Sequence, residues 1–218
     1  MENESTITVF ELESRRIPAT AAFDMTITLN VWVGLTGICF TIPKAIVCAS
    51  SNFFKNKEAP LDNVFLEEED PDIFNVYLHW LYCKTFPTIF ADADQGPTVE
   101  YTLLARCYIL GQILEDRKFS EAVLDAIADC ANIQASRTFK KLPGSTPITL
   151  VYEKTDETSP ARRLLVDIWV RYADEDAVER LGEELPPRFI LDFARATTRR
   201  KCMIERELRD AEDALMDY

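Results

Sequence analysis

The chain has 218 residues, 47% hydrophobic and 28% charged, a balance that supports a folded core and excludes a wholly disordered chain. Six glycines argue against a glycine-rich catalytic loop, and a formal net charge of −13 repels nucleic-acid phosphates and anionic membranes. No run approaches the roughly 20 apolar residues of a membrane-spanning helix, and Met1–Thr8 is acidic and polar, so a cytoplasmic or nuclear chain is expected.

Residues 1–25 read as an N-terminal arm, with Ile7, Val9, Phe10 and Leu12 as a short strand or ordered arm. Between Thr26 and Thr41 the pattern is that of a β-hairpin. Ile27, Leu29, Val31 and Val33 alternate with Thr28, Asn30 and Trp32, Gly34–Gly37 forms the turn, and Cys39-Phe40-Thr41-Ile42 returns. A strand, not a helix, follows the glycines, and no GxxxxGK[ST] is present, so this is a turn and not a phosphate loop.

Pro43 is expected to open a helix through Cys48, and Ser50-Ser51-Asn52 to cap a second, short helix bearing Phe53 and Phe54. Val64-Phe65-Leu66 reads as a strand. Asp70-Pro71 then starts a helix whose apolar face is Ile73, Phe74, Tyr77, Leu78 and Leu81, with His79 and Trp80 off its centre.

From Phe86 to Pro97 the chain reads as a loop; Asp92, Asp94 and Gln95 lack the oxygen-ligand spacing of a calcium loop. Two antiparallel helices follow, Val99–Leu114 and Lys118–Asn132, joined by Glu115-Asp116-Arg117. After Asn132 a connector, 133–158, carries the basic turn Lys140–Gly144 and a short strand at Thr149–Tyr152. Ser159-Pro160 opens a helix to Tyr172, and Pro186-Pro187 opens a last helical stretch. Phe189, Phe193, Ile204, Leu208, Ala211 and Leu215 mark its stripe, and Arg195, Arg199, Arg200 and Lys201 its basic cluster.

Chemistry-bearing motifs are sparse. The six cysteines, Cys39, Cys48, Cys83, Cys107, Cys130 and Cys202, contain no CxxC pair, and His79 is the lone histidine, so neither a metal nor another cofactor is expected. GxSxG is absent, and the reading is of a non-enzyme.

From about Leu29 to Asn132 the predicted order is strand, strand, helix, helix, strand, helix, loop, helix, helix. That order, together with its residues, resembles the BTB/POZ domain. The stretch V-W-V-G-L-T-G-I-C-F-T-I-P-K-A-I-V-C-A-S-S-N-F-F-K places Phe40, Ile42, Lys44, Val47, Ser51, Phe53 and Phe54 at the family's F-x-V-H-K-x-x-L-x-x-x-S-x-F-F positions. In D-P-D-I-F-N-V-Y-L-H-W-L-Y-C-K-T-F, Asp70, Pro71, Phe74, Leu78, Trp80, Leu81 and Tyr82 match its D-P-x-x-F-x-x-x-L-x-W-L-Y-T-G helix. The run L-A-R-C-Y-I-L-G-Q-I-L-E-D-R-K-F resembles a later family helix, and V-Y-E-K-T-D-E-T-S-P-A-R-R-L-L-V-D-I-W-V the region that follows the domain in fungal single-BTB proteins. Pro43 stands where a histidine is usual, and Thr28 or Asn30 where an acidic residue is usual. Those two positions help form the charged pocket of the dimer groove in family transcription factors.

The resemblance implies an α/β (α+β) fold: at 26–132, a helical cluster flanked by a short, mainly three-stranded sheet, with an α-helical C-terminal extension at 159–218. It also implies a protein-interaction module that dimerises or docks a partner, with a cullin-type ubiquitin ligase scaffold as one partner. The alternatives are a transcription-associated BTB scaffold and a small enzyme of unrelated class. The candidate protein-binding residues are Phe86, Ile89 and Phe90 in the loop, and Leu208 and Leu215 on the last helix. No nucleic-acid or membrane partner is expected.

Overall fold

The hairpin sets the architecture. In the computed structural model, which describes residues 24–56, 63–89, 96–135, 142–181 and 185–216, β1 (Thr28–Val33) pairs antiparallel with β2 (Ile38–Pro43). β3 (Asn63–Leu66) joins the other side of β1 in parallel, giving the order β2-β1-β3. Leu29, Val31, Val33, Ile42, Val64 and Leu66 are buried, so the alternation seen in the sequence places one face of the sheet on the core. Gly34 turns the hairpin at φ +76°, and a Cβ there would meet Pro71 Cγ at 3.1 Å.

The crossover from β2 to β3 carries α1 (Lys44–Ser50) and α2 (Asn52–Lys55). Pro43 is the last residue of β2 and the cap of α1 rather than its first helical residue. Ser51 is fully buried and does two jobs: its hydroxyl accepts from Phe54 N at 3.3 Å and donates to the Leu114 carbonyl. One serine thereby caps α2 and fastens it to the end of the helix that leads to Leu114.

α3 (Pro71–Cys83) is capped by Asp70, whose Oδ1 accepts from Asp72 N at 2.9 Å. Its inward face is wider than the sequence indicates: Trp80 is buried, whereas Leu78 is partly buried. Trp80 turns inward because Phe119 offers it a ring partner, with centroids 5.1 Å apart.

α4 (Gly96–Ile113) and α5 (Arg117–Ala135) pack as antiparallel neighbours. Their approach is close at Gly111, where a Cβ would come within 2.5 Å of Ser120 Oγ. Asp116, fully buried between them, accepts from Phe119 N at 3.0 Å and from the Tyr77 hydroxyl at 3.0 Å. Burial, and then the Asp116 charge, hold the Tyr77 phenol far above the ordinary tyrosine range.

Residues 145–154 form α6 (Ser145–Lys154), not a turn and strand. Thr149, Val151 and Tyr152 favour a strand by propensity, but Ile148, Val151 and Tyr152 recur at helical spacing and all three are buried, so packing against α4 prevails. α7 (Pro160–Tyr172) packs on α5 and α6, followed by α8 (Glu175–Leu181) and the 30-residue α9 (Pro187–Met216). The buried Arg162 donates to the carbonyls of Tyr152 and Thr155, satisfying the last turn of α6. A continuous set of buried side chains runs from the sheet through α3, α4 and α5 to Trp169 and Phe189, so the C-terminal helices share the core of the α/β part.

The arm strand expected at Ile7–Leu12, the Asp92, Asp94 and Gln95 segment, and Lys140-Lys141 lie outside the described residues. Among the described residues, no helix is long and apolar enough to cross a membrane.

Candidate protein-docking face

The segment after α3 is held at several points. Lys84 ends the helix at φ 56°, in the left-handed region, with its ammonium 3.9 Å from the Trp80 ring. Burial lowers the affinity of that ammonium for its proton. His79 Nε2 lies 3.1 Å from the Thr85 hydroxyl, so the lone histidine braces the start of the loop. Phe86 turns inward, its ring 5.9 Å from that of Phe119. Thr88 is buried, and its hydroxyl donates to Glu100 Oε1 on α4 at 2.9 Å; the other oxygen of that carboxylate accepts from Cys130 Sγ at 3.3 Å.

With Phe86 and Thr88 anchored, Ile89 projects into solvent at 86% exposure. Thr98, Val99, Thr102, Leu103 and Arg106 line a shallow, mainly apolar depression of about 230 Å³ along the first half of α4. Val99 is 43% exposed in it. Arg106 borders the depression and pairs with Asp70 at 2.9 Å, so the residue that caps α3 also positions a cation at the rim of the α4 surface.

Of the five candidate residues, Phe86 is a packing residue and Ile89 is displayed, while Phe90 lies outside the described segments. Leu208 is 60% exposed on α9, far along the chain from Ile89, and the Leu215 side chain is not among the described ones. The α9 stripe divides. Phe189 is fully buried against Tyr152 and Trp169, with ring centroids at 5.7 and 5.6 Å, whereas Ile204 and Leu208 are exposed. Val99 is not among the sequence candidates, where it serves only as the first residue of a predicted helix. Its signal was the turn of polar residues around it, Thr98, Glu100 and Thr102.

The basic cluster on α9 is partly engaged: Arg195 approaches Asp192 at 3.7 Å, Lys201 approaches Glu205 at 3.8 Å, and Arg200 donates to the Val170 carbonyl at 2.9 Å. On the solvent side of the sheet, Trp32 stacks beside Phe65 at 6.4 Å and its indole donates to Asn63 at 3.1 Å. Among the described residues, no group of three or more His, Cys, Asp or Glu is placed to hold a metal ion. Among the described residues no two cysteines form a disulfide; Cys39, Cys83 and Cys202 are exposed, and burial pushes the Cys107 thiol up to about 12. No protein-family model matches the chain, and no curated protein matches it in sequence.

Proposed function

We propose that this chain is a non-enzymatic protein-interaction module of the BTB/POZ type, and that it docks a cullin-type ubiquitin ligase scaffold through Ile89 and the first half of α4. The observation that carries the reading is the pinned loop. Phe86 and Thr88 are anchored, Thr88 to Glu100 on α4, while the next residue, Ile89, is held in solvent and the Val99 depression opens along the same helix. An isoleucine kept exposed on a braced backbone is costly for solubility and favourable for recognition, because ordering entropy is lost before the partner arrives. The bond from Ser51 to the Leu114 carbonyl just after α4, the Asp70-Pro71 cap and the strand–helix order supply a physical reason for the family-like residues at those positions.

The test is calorimetric titration of the chain with the N-terminal domain of a cullin scaffold. Wild type should bind, and Ile89→Asp and Val99→Asp should each weaken binding by about tenfold or more while leaving the melting temperature unchanged. Absence of binding by wild type, or equal affinity in both variants, would count against the reading.

A further inference from the structure

The last helix is asymmetric in charge and in cover. α9 spans 30 residues, about 45 Å at 1.5 Å per residue. Residues 187–201 hold five basic side chains and one acidic; residues 202–216 hold two basic and five acidic. The first part packs on α6 and α7 through Phe189 and Phe193. From Thr197 to Asp210 every side chain is exposed, yet Met203, Ile204 and Leu208 continue an apolar stripe there, and the sequence extends it with Ala211 and Leu215. Beside that stripe runs a groove between α7 and α9 in which three arginines, Arg171, Arg199 and Arg200, outnumber two carboxylates, Asp167 and Glu207.

We propose that α9 pairs antiparallel with α9 of a second copy of this chain, laying the partner's acidic half along the arginines of the α7–α9 groove. Charge decides both occupant and direction. A parallel pair would set the basic part of α9 against its own copy. An antiparallel pair centred near Met203 and Ile204 sets each basic part against an acidic one, twice by symmetry, and opposes the helix dipoles. The same arrangement covers the apolar stripe, which an isolated projecting helix leaves wet. Arg171 and Arg199 line the groove with Glu207 of their own chain, which leaves cationic charge to meet Glu207 and Asp210 of the copy. This inference rests on α9 and α7 alone and is independent of the α4 face.

The test is sedimentation equilibrium of the full chain at physiological ionic strength, with the melting temperature of each variant as a control for folding. Wild type should dimerise. The double variant Arg171→Glu/Arg199→Glu should weaken the dimer by about tenfold or more, both positions being exposed. Adding Glu207→Arg/Asp210→Arg to that variant should restore the dimer. A monomeric wild type, a dimer indifferent to the arginine reversal, or a dimer that the reciprocal exchange fails to restore would each overturn the proposal. Indifference would point to self-association through another surface and would leave the α4 reading untouched.

Discussion

Asp116 joins three pieces of the fold with one carboxylate. It sits without solvent contact at the bend between α4 and α5, caps α5 through Phe119 N, and takes the Tyr77 hydroxyl of α3. Removing it leaves a buried phenol and a helix N-terminus without their acceptor, so Asp116→Ala should cost roughly 2–4 kcal/mol of stability. Asp116→Asn, which keeps an acceptor oxygen, should cost less. Chemical denaturation checks both, and equal stability of the alanine variant and wild type would refute the assignment. Polar anchors of this kind are only half legible in a sequence. Ser51 and Asp70 stand out because each precedes a helix with cap spacing, and both do cap. Asp116 reads as a surface linker between helices because its bond to Tyr77 spans 39 positions, which no local pattern encodes.

At the scale of elements, α9 joins two regimes in one helix. Phe189 is enclosed by Tyr152 and Trp169, while Leu208 is mostly in solvent. Phe189→Ala should therefore lose about 3–5 kcal/mol, whereas Leu208→Asp should leave thermal stability nearly unchanged and act on association. Thermal unfolding of the pair measures both, and a comparable loss from Leu208→Asp would mean that the far half of α9 is covered within its own chain. The apolar periodicity finds α9 from the sequence but cannot tell where along it the cover stops, because cover is supplied by α6 and α7. The same dependence explains α6. Its β-favouring threonine, valine and tyrosine suit a strand, and only contact with α4 makes helical spacing the better solution. The hairpin, α3, α4 and α5 were legible because their periodicities are long and their caps local. α8, with the short sequence EDAVERL, has too few apolar positions to announce a face.

For the molecule as a whole, the sheet, the α3–α5 cluster and the C-terminal helices share one core, and two surfaces stand out on it: Ile89 with the α4 depression, and the open stripe of α9. The net charge of −13 bears on solubility and partner choice rather than on the fold, and the basic positions that matter are local, Arg106 beside the first surface and Arg171 and Arg199 beside the second. The sequence identified the loop as a candidate face, but the division of labour within it, Phe86 inward and Ile89 outward, depends on Phe119 and Glu100 and so on the tertiary fold. The central claim is that the Ile89–α4 face is where a scaffold binds. Hydrogen–deuterium exchange of the chain with and without the cullin N-terminal domain tests it most directly. Added protection confined to residues 84–89 and the first half of α4 is expected, with the sheet and α7 unchanged; protection elsewhere, or none at all, would refute docking at this face.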